Sequence, residues 1–134
     1  MAILIVGIPN AGKTTFSERF GNVIHADEYP EPRYLTFPKA VKEIGIGVVA
    51  EGFVNSARCR KDFIEAAGDG EKICIWLDTP LEVCVERERQ GRKRGYDFVE
   101  RLAERFEPPT YDEGWDEIII VRGKDGDNDK IMPL

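Results

Sequence analysis

A three-layer α/β sandwich, in which helices cover both faces of a five-stranded, mostly parallel sheet, is predicted by three observations. Short apolar runs rich in isoleucine and valine alternate with segments of helical character along the chain. The first of these runs, Ile3-Leu4-Ile5-Val6, opens directly into Gly7-Ile8-Pro9-Asn10-Ala11-Gly12-Lys13-Thr14, a match to G-x-x-x-x-G-K-[ST]. With 134 residues, 42% of them hydrophobic, the chain is sized for a single domain, residues 1–134, with its own core.

The strands are expected at residues 2–6, 22–25, 47–51, 73–77 and 117–121, each a short apolar run. The first helix, 13–20, follows the glycine-rich loop through the helix-compatible Thr15-Phe16-Ser17-Glu18-Arg19-Phe20. A second helix is expected at 38–44 and a third at 56–67, where Asn55 and Ser56 can cap. The fourth, 80–90, starts after Asp78-Thr79-Pro80, with Thr79 as a cap and Pro80 in the first turn. A fifth covers 96–106, and the charged, turn-rich stretch Gly123 to Asp129 carries no expected chemistry. Alternation of this kind gives a sheet whose ligands bind beyond the carboxyl ends of the strands.

The loop after the first strand is where phosphate chemistry is expected. Its glycines allow a tight turn with N–H groups pointing inward, so Gly7, Pro9, Asn10, Ala11, Gly12, Lys13, Thr14 and Thr15 form the candidate nucleotide cradle. Lys13 can reach the β- and γ-phosphates, and Thr14 can offer its hydroxyl to magnesium while the helix directs its positive end at the anion. This is the P-loop NTPase type of α/β fold, with ATP and Mg²⁺ as the expected cofactors. No purine-reading motif is visible.

Three further groups end on the same edge. His25-Ala26-Asp27-Glu28-Tyr29 places Asp27 after the second strand, where an aspartate can accept the proton of an attacking hydroxyl or simply shape a turn. Arg33 can hold an acceptor phosphate or carboxylate. His25, the one histidine, is read as a strand end. The third strand delivers Glu51, a carboxylate suited to holding magnesium through water, followed by Asn55 and Arg58 as substrate contacts; Arg58 can brace Glu51 or touch substrate. The cluster Arg87, Arg89, Arg92, Lys93, Arg94, broken by Glu88, Gln90 and Gly91, suits a solvated helix end or a lid whose cations close over a γ-phosphate. Arg87, Arg92 and Arg94 are the catalytic candidates, with Lys13 and Asp27.

The net charge of −6 argues against coating a duplex by general electrostatics. Cys59, Cys74 and Cys84 have neither metal-ligand spacing nor an even count, so free thiols are expected. No apolar run has the length of a membrane span and the N-terminus lacks a secretory pattern; the expectation is a cytoplasmic protein with no membrane contact and no stable protein partner.

Taken together these residues resemble the small P-loop kinases of the polynucleotide-kinase-like group. Phe106-Glu107-Pro108-Pro109-Thr110-Tyr111-Asp112-Glu113-Gly114-Trp115 is similar to the F-E-P-P-T-x-x-E-G-F segment that precedes the last strand in the kinase domain of the polynucleotide kinase/phosphatases. The resemblance implies that Lys13 and Thr14 bind phosphates and magnesium, that Asp27 is the base, and that the lid arginine lies among Arg87, Arg89, Arg92 and Arg94. It departs from the group at Pro30, Pro32 and Pro38, where related kinases carry a regular acceptor-binding helix. The expected activity is ATP-dependent phosphorylation of a hydroxyl on nucleic acid, either a polynucleotide 5′-hydroxyl or a hydroxymethyl group on a modified base. The alternatives are a small-molecule kinase acting on a nucleoside, sugar or antibiotic, which the acidic charge favours, and a nucleotide-dependent switch. Trp115, Tyr111 and Phe53 suit either base stacking or the core.

Overall fold

The computed structural model describes residues 1–122 and 130–133. Strands β1 (Ala2–Val6), β2 (Ile24–His25), β3 (Val49–Gly52), β4 (Lys72–Leu77) and β5 (Glu117–Arg122) are parallel, and β6 (Lys130–Pro133) runs antiparallel to β5. The sheet order is β2-β3-β1-β4-β5-β6. The sequence-based expectation of five parallel strands holds, and β6 is an addition. The segment 123–129, expected to carry no chemistry, lies outside the described residues.

The parity of β1 divides the core. Leu4 and Val6 project to one face, joining Val41 and Phe37 of α2 (Arg33–Ile44) and Phe63 and Ala67 of α3 (Ala57–Ala67). Ile3 and Ile5 project to the other, joining Phe16 of α1 (Lys13–Ser17), Cys84 of α4 (Leu81–Gln90) and Val99 of α5 (Phe98–Glu104). Successive strand residues point to opposite faces, so a strand buried on both sides reads as a continuous apolar run, as β1 does. Each fully buried large side chain contributes roughly 1.5–3 kcal/mol. Among the described residues no helix is long and apolar enough to cross a membrane. The three cysteines are free, as expected.

The proline-rich segment differs from expectation: α2 begins at Arg33 and runs through Pro38. Pro32 sits at the N-cap, where its missing N–H costs nothing, and its carbonyl accepts from the amides of Leu35 and Thr36. Pro38 has no N–H to give the carbonyl one turn back; Phe37 and Val41, both buried, hold the helix to the sheet across that gap. The helix that the prolines argued against is therefore present. Thr79 is also corrected: the N-cap of α4 is Pro80, and the buried Thr79 hydroxyl donates instead to the Ala11 carbonyl at 2.8 Å, tying the α4 entrance to the glycine-rich loop. Ser56 does cap α3, accepting from the Cys59 amide.

Arg60 is fully buried and forms a two-pronged pair with Glu113, Nε to Oε1 at 2.7 Å and Nη2 to Oε2 at 2.9 Å, while its Nη1 donates to the Val54 carbonyl. Trp115 Nε1 donates to the same carboxylate at 3.0 Å, and Glu113 closes a capping box with Thr110. The Glu-Gly-Trp part of the Phe106–Trp115 segment thus anchors α3 to β5. Trp115 is core, and the Tyr111 hydroxyl accepts from the Ile118 amide. Burial raises the Glu113 carboxyl, but the Arg60 and Trp115 hydrogen bonds and the Arg60 charge outweigh it and hold the group below its ordinary value. Arg60→Ala should therefore cost about 3–5 kcal/mol in urea unfolding at neutral pH, because it strands a buried carboxylate. A depressed acid stabilises above its ordinary range and loses that contribution as pH falls through its folded value, so wild type and variant should converge in acid. A loss under about 1 kcal/mol at pH 7 would show that the pair is not stabilising.

Candidate phosphoryl-transfer site

β1 pairs with β3 on one side and β4 on the other, so the chain reverses its direction of travel across the sheet at the carboxyl end of β1. Crevices at such switch points receive ligands in open α/β sheets. Here the glycine-rich loop borders a cavity of about 850 Å³ lined by Pro9, Asn10, Gly12, Lys13, Thr14 and Thr15 on one side, and by Asp27, Arg33, Glu51 and Phe53 on another. Arg87 from the last turn of α4, and Arg92 and Arg94 from the α4–α5 connection, close it together with Phe98 and Leu102 of α5. Gly12 has φ 102°, the left-handed geometry that glycine adopts without strain, and α1 starts at the next residue.

Lys13 is buried, and its ammonium donates to the carbonyls of Gly7 at 3.0 Å and Ile8 at 2.9 Å. Burial lowers its pKa from the ordinary 10.5, while the charges of Glu51 and Asp27 pull it upward. A buried cation held mainly by loop carbonyls is suited to an incoming phosphate. Glu51, also buried, sits at the end of β3; its Oε1 accepts from the Thr14 hydroxyl at 3.4 Å and lies 2.7 Å from His25 Nδ1. His25 thus ends β2, as expected, and also braces Glu51, the role considered for Arg58. Among the described residues no cluster of three or more metal-ligating side chains forms. A magnesium ion at the Thr14–Glu51 pair would therefore depend on phosphate and water oxygens for the rest of its shell.

Asp27 lies exposed on the 3₁₀ turn Ala26–Glu28, directly after β2. Its position is set by backbone packing: a Cβ built on Gly52, the last residue of β3, would lie 2.7 Å from the Ala26 Cβ. Arg33 opens α2 and lines the cavity, with Nε on the Tyr29 carbonyl and Nη1 on Glu31.

Two expected substrate contacts are placed elsewhere. Arg58 is exposed on the first turn of α3 and does not line the cavity. Two residues on an α-helix turn about 200°, so when Arg60 faces the core Arg58 faces solvent. Asn55 reaches the Arg105 carbonyl with its amide, at 3.5 Å, and accepts from the Glu107 amide through its backbone, which pins the approach to Pro108. Arg89 pairs with Glu86 on the exposed side of α4.

The lid contains a residue that sequence reasoning passed over. Glu88 is buried, and its carboxylate accepts from the Arg94 guanidinium, the Arg94 amide at 2.6 Å and Asn10 Nδ2 at 2.8 Å. The Arg94 hydrogen bond, joined by the others against the effect of burial, lowers its pKa to about 2. Arg94 also donates to Asn10 Oδ1 and lies over the Phe98 ring at 4.3 Å. Arg87 donates to the Asn10 carbonyl at 2.7 Å. Arg92 lines the cavity and has no hydrogen bond or ion pair with the described residues.

No protein family model matches the chain. Among solved structures, a gluconokinase from Sinorhizobium meliloti 1021 aligns with TM-score 0.66 at 15% identity, over 90% of this chain and 81% of that one. A sugar kinase from Janibacter sp. HTCC2649, in an unliganded structure, aligns with TM-score 0.63 at 16% identity, over 90% and 84%. The PezAT chromosomal toxin–antitoxin system of Streptococcus pneumoniae aligns with TM-score 0.55 at 18% identity, over 98% of this chain and 71% of that one. At these identities the likeness is one of fold, and the polynucleotide-kinase-like grouping remains a resemblance carried by sequence segments alone. The three-layer arrangement, the loop after β1 and the cavity at the carboxyl edge of the sheet give this chain the P-loop type of α/β fold.

Proposed function

We propose that this protein is an ATP-dependent kinase that transfers the γ-phosphoryl group to a hydroxyl of a small polyhydroxylated molecule. The observation that carries the reading is the single cavity in which a phosphate loop with Lys13 and Thr14 faces Asp27, Arg33 and three lid arginines. Its volume, about 850 Å³, is that of a small-molecule site.

Within it Lys13 and the loop amides hold the transferring phosphates, Asp27 accepts the acceptor's proton, and Arg33 orients the acceptor. Arg92, the cavity-lining lid arginine without a partner among the described residues, neutralises the charge that develops on the phosphoryl oxygens. Thr14 and Glu51 would hold magnesium, which would supply charge neutralisation to the nucleotide's phosphates. The carboxylate after β2 separates this reading from a nucleotide switch, which transfers to water and needs no acceptor base.

The acceptor assignment shifts from the sequence-based expectation of nucleic acid. Part of the segment that carried that expectation is occupied inside the fold, with Glu113 on Arg60 and Trp115 in the core. The net charge of −6 disfavours a polyanionic substrate, and two structures sharing the fold are a gluconokinase and a sugar kinase. Labelled γ-phosphate from ATP, offered with sugars, sugar acids, nucleosides and oligonucleotides, tests this directly. Label is expected on a sugar or polyol, with little loss at raised salt. Label on an oligonucleotide, with binding that falls steeply with salt, would restore the nucleic-acid reading. Free phosphate alone would remove the kinase.

A further inference from the structure

Three features outside the reacting groups stand out. A cavity of about 210 Å³ lies between Ile8, Trp76, Pro80, Leu81 and Phe106, but it presents little polar chemistry to define a ligand. Tyr34, Leu35 and Tyr96 are exposed without anything to say what covers them. The third feature, the buried Glu88 carboxylate beneath the phosphate loop, has an explicit set of partners.

We infer that Glu88 is a positioning residue for the phosphate loop, holding Asn10 and Arg94 in one hydrogen-bonded unit so that the loop is shaped for nucleotide before it arrives. The inference rests on the kinase reading above and deepens it.

Asn10 has φ 67°, a left-handed conformation that is strained for most residues and most accessible to glycine, asparagine and aspartate. Both its donors and its acceptor are engaged: Nδ2 donates to Glu88 and to the Cys84 carbonyl, and Oδ1 accepts from Arg94. Its own carbonyl accepts from Arg87. The conformation that aims the neighbouring amides is therefore held from α4 and the connection that follows it, and Glu88 contacts both Asn10 and Arg94. Because Arg94 is neutralised by Glu88, it belongs to this scaffold, and Arg92 is left to move. A residue that shapes the cradle acts on bound nucleotide and transition state alike, and it should appear in affinity more than in turnover.

The test measures Mg–ATP binding by calorimetry on the full chain without acceptor, and then KM and kcat with the acceptor found by the labelling panel. Glu88→Gln removes the charge with little change of shape. It is expected to weaken Mg–ATP by about tenfold, with kcat within about threefold. Arg92→Ala should show the opposite split, an unchanged ATP affinity with a large fall in kcat. Asn10→Gly keeps the left-handed conformation accessible but deletes the side chain; it should weaken ATP by a similar factor, and the double variant with Glu88→Gln should be no weaker than the worse single one. This second variant decides the matter if Glu88→Gln does not fold. Unchanged ATP affinity in folded variants, or a simple sum of two independent losses, would overturn the inference. A wild-type chain that binds no Mg–ATP would instead overturn the kinase reading, so the two failures are distinct.

Discussion

Lys13→Ala is expected to lower phosphoryl transfer by at least about 10³-fold, with the circular-dichroism spectrum of the wild type retained. The ammonium is buried between the Gly7 and Ile8 carbonyls, and no other cation of the cavity shares that position. The same burial makes a second, thermodynamic prediction for the nucleotide-free chain. Lys13 has its pKa lowered by desolvation, so between the folded value and 10.5 the unfolded chain binds more protons than the folded one. Stability should rise with pH across that window as the buried charge is shed, and the rise should be smaller in Lys13→Met than in wild type. Urea midpoints compared at neutral and alkaline pH check it. Identical pH profiles would mean the ammonium carries no burial penalty, and normal transfer by Lys13→Ala would remove the phosphate-loop assignment.

Asp27→Asn should reduce kcat by about 10²- to 10⁴-fold and change Mg–ATP affinity by no more than about threefold. Asp27 is exposed on the cavity wall, so replacing it strands no buried partner, and the loss should fall on chemistry and not on folding. Its charge is one of those that raise the Lys13 pKa, which accounts for the small allowance in affinity. Rapid-quench measurement of a single turnover, with ATP binding followed separately, distinguishes the outcomes. A loss confined to ATP binding would move Asp27 from the acceptor to the metal.

What the sequence disclosed follows from how locally each feature is encoded. The phosphate loop is contiguous, and Asp27 and Glu51 follow or end apolar strands, so alternation alone brings all three to one edge. The lid is different. Glu88 interrupts a run of arginines and looks like a solvated charge, and its meaning depends on Asn10, 78 residues away. Arg58 and Arg60 are two residues apart on one helix, and choosing between them needed the register of α3. A signal was present: Arg60, Phe63 and Ala67 fall at helical spacing, so Arg60 lies on the apolar stripe, and its burial demanded a carboxylate partner such as Glu113. β6 was missed because Lys130-Ile131-Met132-Pro133 is short and ends in proline, a residue confined within sheets to edges and strand ends.

The contact between Gly52 and Ala26 separates what can vary in this site from what cannot. No side chain fits at Gly52, so the end of β3 and the turn bearing Asp27 meet backbone against methyl group. The spacing between Glu51 and Asp27 is thereby written into the main chain. Arg33 and Phe53, by contrast, reach the cavity as side chains and can be exchanged without moving that frame. On the proposed reading, acceptor choice can be altered at those two positions, while any residue larger than glycine at position 52 would displace the turn that carries Asp27.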